Sequence, residues 1–319
     1  MRIGIDIMGG DYAPLEAVKG VQLYLSSSSA ASHIFLIGDK VAIESAVPGF
    51  PGNSERVTIV HASQVVDMHE HPTKALKEKT DSSLAKGFGL LATGKIDAFI
   101  SAGNSGAMLV GSMYSIKPLP GILRPTISTV IPKENGGTGL LLDVGLNADC
   151  KPEQLLQFAI LGSIYAENIL GIQKPRVALL NIGEEEGKGN LLAQATYQLL
   201  KESNHLNFIG NVEGRDIFVD KADVIVCDGF TGNVILKLAE SIYDITKAKQ
   251  INHEYLDQFN FEIYGGTPVL GIAKPVIIGH GISHDIAFLN MIRLAEKMIE
   301  TNITASIAQT FADSNAKTA

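Results

Sequence analysis

Short, β-branched apolar runs recur along this chain at intervals long enough to hold a helix, and that rhythm constrains the fold more than any single residue. The runs are Arg2–Ile7, His33–Ile37, Val57–His61, Ala98–Ser101, Thr138–Asp143, Arg176–Asn181, Asn207–Val212, Val224–Cys227 and Val276–Ile278. Strands buried on both faces read this way, and parallel neighbours need a covering helix as the crossover between them. Helical patterns over Glu16–Leu25, Thr73–Thr93, Lys151–Asn168, Asn190–Glu202, Gly232–Thr246 and Ile286–Asn302 lie between many of the runs. The pattern predicts an α/β fold, a mostly parallel sheet with covering helices, as a single large unit over residues 1–319. Turn chemistry at Gly49–Glu55 and Pro118–Gly121 marks loops and not secure domain boundaries, and the polar end after Met298 reads as a frayed helix finishing in a flexible tail over 308–319.

A chain of 319 residues that is 45% hydrophobic can bury a large core, which argues against disorder. Its two cysteines, Cys150 and Cys227, make neither a metal quartet nor a disulfide framework, and Cys227 sits in an apolar run as a buried thiol would. The formal charge of −8 argues against a general nucleic-acid groove. Residues 71–95 hold five lysines against two acids. That stretch is either a solvated helix face or a surface for an acidic partner. Met1–Ile7 lacks the apolar core of a signal peptide and no later run resembles a membrane span, so a cytoplasmic location is expected.

The chemistry concentrates where strands end in glycine turns. Lys95–Ala107 runs from an apolar strand into Gly103-Asn104-Ser105-Gly106, where backbone N–H groups at a helix start would suit phosphate or another anion. Asn104 and Ser105 can donate to oxygen, although glycine also serves ordinary strand-to-helix turns. The same logic applies to Leu140–Asn147, Val224–Asn233 and Val276–Ser283. Asp143 and Asn147 bracket Gly145, while Asp228, Thr231 and Asn233 surround Gly229 and Gly232; these residues orient a bound oxyanion or cap helices. His71-Pro72-Thr73-Lys74 offers a cation for phosphate and an imidazole for proton transfer, or else Pro72 opens a helix and both side chains face water. In Asn181–Asn190, three glycines surround Glu184–Glu186 and Lys188, either to position a substrate or as a solvent-facing charge cluster. His280 with His284, and His69 with His71, fall short of a metal-ligand set. Walker, Rossmann and Gly-x-Ser-x-Gly motifs are absent.

Taken in order, these segments resemble a known family. Asp6–Asp11, His71–Lys74, Asp81–Ser83, Ser101–Ala107, Leu142–Asn147, Asn181–Glu185 with Lys188–Asn190, Asn211–Asp216, Cys227–Asn233, and Tyr264–Pro268 followed by Gly279–Gly281 match, across nearly the whole chain, the bacterial phosphate acyltransferases. That family converts acyl–acyl-carrier-protein and inorganic phosphate into acyl phosphate and free carrier. The resemblance implies an isocitrate-dehydrogenase-like or phosphate-acetyltransferase-like fold, a homodimer, no cofactor, and a role at the start of phospholipid synthesis. A related phosphate acetyltransferase using a coenzyme A thioester, or a non-catalytic carrier- or phosphate-binding protein, are the alternatives.

On this resemblance, His71, Lys74, Asn104, Ser105, Asp228, Thr231 and His280 are the expected catalytic residues. Asp6, Gly9, Gly10, Asp11, Gly103, Gly106, Asp143, Asn147, Lys188, Asn190, Gly229 and Asn233 are expected to bind substrate. Lys74 and backbone donors would hold the phosphate, Asn104 or Ser105 would meet the thioester oxygen, and His71 or His280 would protonate the departing thiolate. Lys77 and Lys79 are expected to dock the acidic acyl-carrier protein. Residues 238–263 form a short helical insert where many relatives carry a longer hairpin associated with the dimer and the membrane, so strong membrane insertion is not expected. Transient peripheral contact, with a membrane glycerol-phosphate acyltransferase receiving the product, stays open.

Overall fold

The computed structural model describes residues 1–27, 31–50 and 54–316; part of the expected turn at 49–55 and the last three residues of the expected tail lie outside the described residues. In chain order the strands are β1 (Arg2–Asp6), β2 (His33–Gly38), β3 (Val57–His61), β4 (Ala98–Ser101), β5 (Thr126–Pro132), β6 (Thr138–Leu142), β7 (Arg176–Leu180), β8 (Asn207–Val212), β9 (Val224–Val226), β10 (Thr267–Leu270) and β11 (Val276–Ile278). Packing divides the chain into two compact units, a finer division than the single unit read from the sequence. Unit one comprises Met1–Pro118 with Phe261–Thr304, and unit two comprises Leu119–Asn260 with Ala305–Ala319.

In unit one the strand order is β3-β2-β1-β4-β11-β10, parallel throughout except for the β10–β11 pair. Ile3, Ile5, Ile34, Leu36, Phe99 and Ile100 are fully buried, as a sheet covered on both faces requires. Helix Leu15–Ser26 packs on helix Asp285–Glu300 so closely that a Cβ on Gly20 would stand 2.7 Å from the Asp285 carbonyl oxygen. The long helix expected over Thr73–Thr93 is two helices, Pro72–Glu78 and Ser83–Ala92. The break falls at Asp81-Ser82, where the Ser82 hydroxyl accepts from the Ala85 N–H and caps the second helix.

Unit two carries the order β5-β6-β9-β7-β8, parallel except for β5–β6. Leu141, Ala178, Val212, Ile225 and Cys227 share its core, so Cys227 is the buried thiol the sequence suggests, and burial pushes its pKa upward. Helix Gly229–Ala248 runs into the expected insert, and Phe218, Phe259 and Tyr255 then hold the following segment by edge-to-face ring contacts at 5.1 and 5.5 Å. Helix Ile303–Ala316 continues through most of the stretch expected to be a flexible tail.

A charged cluster ties three strand ends of unit two together. Lys133, after β5, donates to Asp223 at 2.6 Å and Asp220 at 3.0 Å, and Arg176, which opens β7, donates to Asp223 at 2.9 Å through Nε. Burial alone would raise the Asp223 pKa, but the hydrogen bonds from Arg176 and Lys133 hold it well below the ordinary carboxylate range. A depressed folded-state pKa gives stability that is present above the unfolded value of about 4 and is lost as pH falls through the folded value. The urea midpoint of the wild type should therefore fall between pH 5 and pH 3. Asp223→Asn should have a lower midpoint at pH 7 and a shallower acid dependence; parallel pH profiles for the two proteins would refute this assignment.

Candidate active site

The glycine turns of each unit gather at the carboxyl ends of parallel strands, where open α/β sheets bind ligands. In unit one, the turns after β1, β4 and β11 interlock. A Cβ on Gly9 would meet the Gly103 backbone nitrogen at 2.6 Å, and Gly10, with φ of +101°, needs glycine on conformational grounds as well. Asp11 N–H donates to the Gly281 carbonyl at 2.8 Å, which joins the first turn to the last. Ser101 Oγ donates to Asp6 Oδ2 at 2.7 Å and accepts from Gly103 N–H at 2.9 Å.

These contacts redefine several expected roles. Asp6 is 1% exposed and its carboxylate accepts from the Ser101 hydroxyl and the Met8 N–H, so it organises the turn. Burial pushes its pKa above the ordinary aspartate range. Asn104, expected to meet the thioester oxygen, points inward: its amide donates to the carbonyls of Asp67, Met68 and Glu70, and its oxygen accepts from Ala107 N–H. Ser105 is exposed at the start of the short helix Ser105–Gly111. Gly103 is buried within the turn, and Gly106 packs against Pro72.

His71 and Lys74 are exposed and line one depression of about 260 Å³ together with Glu70, Ala75, Glu78 and Lys79. Lys79, expected to dock a partner, instead braces this segment: its Nζ donates to Glu70 Oε2 at 2.6 Å and to the Val65 carbonyl at 2.7 Å. Lys77 is exposed in the last turn of its helix. His280 is half-buried with its ring 4.9 Å from that of Phe261. Four residues further on, His284 stacks on Tyr12 at 4.6 Å, a pair the sequence reading missed because the two residues lie near opposite ends of the chain.

In unit two the turns after β6 and β9 interlock in the same manner. Asp143, fully buried, accepts from the N–H groups of Gly145, Leu146 and Asn147 and from Asn147 Nδ2. Burial pushes its carboxyl above the ordinary range, against those four hydrogen bonds. Asn147 also donates to the Pro125 carbonyl at 2.9 Å, so the Asp143 carboxylate and the Asn147 amide nitrogen both brace the protein's own backbone and side chains. Gly229 N–H donates to the Asn147 carbonyl at 2.8 Å, which joins the two turns.

Asp228 accepts from the Thr231 N–H and hydroxyl, each at 2.9 Å, so this pair caps helix Gly229–Ala248, one of the two roles its residue types allow. Asn190 likewise caps helix Leu191–Glu202 through Ala193 N–H, next to an exposed Lys188. Asn233 is half-buried, with its amide nitrogen 3.3 Å from where a Gly145 Cβ would stand. Among the described residues, no group of three or more His, Cys, Asp and Glu side chains could hold a metal ion.

A fold of this kind, with glycine turns at the carboxyl ends of parallel strands, is that of the phosphotransacetylases. The chain superposes on a phosphotransacetylase from Streptococcus pyogenes with a TM-score of 0.62 at 16% identity, covering 93% of this chain and 94% of that one. A branched-chain phosphotransacylase from Enterococcus faecalis gives 0.59 at 15% identity, covering 94% and 99%. Sequence narrows the class further. A family model described as "Fatty acid synthesis protein" matches residues 1–306. Phosphate acyltransferases from Dictyoglomus turgidum and Halothermothrix orenii are 42% and 43% identical, each covering 97% of this chain, and 97% and 98% of their own lengths are covered. The chain belongs to the phosphate acyltransferase family.

Proposed function

We propose that this enzyme transfers an acyl group from acyl–acyl-carrier-protein to inorganic phosphate, releasing acyl phosphate and free carrier for phospholipid synthesis. Full-length similarity to phosphate acyltransferases carries this reading. A phosphate oxygen attacks the thioester carbonyl, the C–O bond forms, the C–S bond breaks, and the carrier thiolate leaves to be protonated. Dianionic phosphate is already nucleophilic, so the protein's task is largely to hold it and to offset charge. Lys74 and His71 are exposed side by side on one depression and suit the anion, Ser105 stands exposed at the neighbouring turn, and His71 or His280 returns the proton.

Lys77 faces solvent and stays available to an acidic carrier. No described helix is long and apolar enough to cross a membrane. A cytoplasmic enzyme that hands its product to a membrane glycerol-phosphate acyltransferase is part of the same proposal. So is a homodimer, supported by Phe230, Val234 and Leu238, exposed one turn apart on a single helix.

Purified protein incubated with long-chain acyl–acyl-carrier-protein and phosphate should yield acyl phosphate and free carrier in equal amounts by mass spectrometry. His71→Ala and His280→Ala, checked for folding by circular dichroism, should separate their roles: the proton donor loses about 100-fold in kcat. Turnover of acetyl-coenzyme A with none from the carrier-bound donor would reassign the substrate, and unchanged turnover in both variants would remove the proton-transfer roles.

A further inference from the structure

His71 is held from both sides by the turn that follows β4. On one side, the Asn104 amide nitrogen donates to the carbonyls of Asp67, Met68 and Glu70 at 2.9, 3.2 and 3.0 Å. On the other, the Pro72 ring lies against Gly106, with Cγ 2.5 Å from where a Cβ would stand. The Asn104 oxygen accepts from Ala107 N–H at 2.9 Å, and the residue is 5% exposed. Both ends of this side chain are therefore engaged with backbone, and no donor is left for a substrate oxygen. We propose that Asn104 is a positioning residue: it fixes the segment carrying His71 and Lys74 to the Gly103–Gly106 turn and touches no reacting atom. The inference deepens the proposed reaction and rests on the reading that His71 and Lys74 serve the phosphate.

Physical reasons favour asparagine here. A buried amide can cap the short helix through its oxygen while its nitrogen collects carbonyls that a loop would otherwise leave unpaired. Aspartate keeps the cap but sets a second oxygen against three carbonyl oxygens. Serine is a good cap and too short to reach all of them.

Asn104→Asp and Asn104→Ser separate the two functions. Hydrogen exchange should quicken about tenfold at the amides of Asp67–Glu70 in both variants. The kcat should fall about 30-fold, with the acyl-donor KM within about threefold of wild type. The activity of Asn104→Asp relative to wild type should rise from pH 8 to pH 5.5, as the new carboxyl gains a proton and can donate again, while that of Asn104→Ser stays flat. Lost turnover with unchanged exchange at Asp67–Glu70 would overturn the proposal in favour of direct substrate contact. Faster exchange with unchanged turnover would overturn it by showing that the tether does not serve the reaction. Wild-type protein that forms no acyl phosphate would overturn the underlying reading itself, a failure distinct from both variant outcomes.

Discussion

Gly232→Ala is expected to destabilise unit two by about 3 kcal/mol, although alanine is the better helix former. Gly232 lies in the first turn of helix Gly229–Ala248, and an added Cβ would fall directly onto the carbonyl oxygen of Asp143 and 3.1 Å from Cys227 Sγ. Backbone cannot rotate away as a flexible side chain can. The helix start would have to lift, and with it the Asp228–Thr231 cap and the Gly229-to-Asn147 hydrogen bond. Helix propensity returns at most about 1 kcal/mol. Gly89→Ala measures that return alone, since Gly89 is exposed on helix Ser83–Ala92 with nothing within 4 Å of the added carbon, and it should stabilise. Urea denaturation followed by circular dichroism suits a chain without tryptophan. Equal midpoints for Gly232→Ala and the wild type would mean that the two turns are not packed as described.

The parts of the fold that were legible in the sequence share a physical cause. Each strand found by its apolar run belongs to one of the parallel stretches, β3-β2-β1-β4-β11 or β6-β9-β7-β8. Inside them burial on both faces makes the run continuous, while the outermost strands β3 and β8 are only partly buried and carry shorter buried stretches. The strands overlooked, β5 and β10, pair antiparallel with β6 and β11, and each contains a proline, Pro132 or Pro268, which masks a strand signal. Helix periodicity over Thr73–Thr93 was real, but periodicity is blind to the capping serine that divides it. Within the site, glycine after an apolar run located the turns correctly. It said nothing of where their polar side chains point. Asp6, Asn104, Asp143 and Asn147 turn inward because a tight turn leaves backbone groups that the nearest polar side chain satisfies first. Ser105, His71 and Lys74 remain exposed, and that distinction depends on partners distant in sequence, such as Ser101 for Asp6 and Asp67–Glu70 for Asn104.

Asp143→Ala should cost about 3 kcal/mol or more, because the carboxylate is the acceptor on which its whole turn closes. Its loss strands the N–H groups of Gly145, Leu146 and Asn147 together with one contact of the Asn147 amide. Gly145 is exposed and can turn to water, whereas Asn147 is buried and cannot, so the cost concentrates on the Asn147 side. Asn at this position is nearly isosteric and still fails to rescue: whichever way its amide is turned, an N–H₂ group replaces an oxygen that accepts two donors. Asp143→Asn should therefore resemble Asp143→Ala in its urea midpoint. The turn is shared with Gly232, whose forbidden Cβ lies on the Asp143 carbonyl, so both substitutions displace the same segment. The double variant Asp143→Ala/Gly232→Ala should lose clearly less than the sum of the single losses, by about 1 kcal/mol or more. Strict additivity would show that the two substitutions do not act through one segment, while an Asp143→Asn midpoint equal to wild type would show that the Asp143 carboxylate is dispensable to the turn.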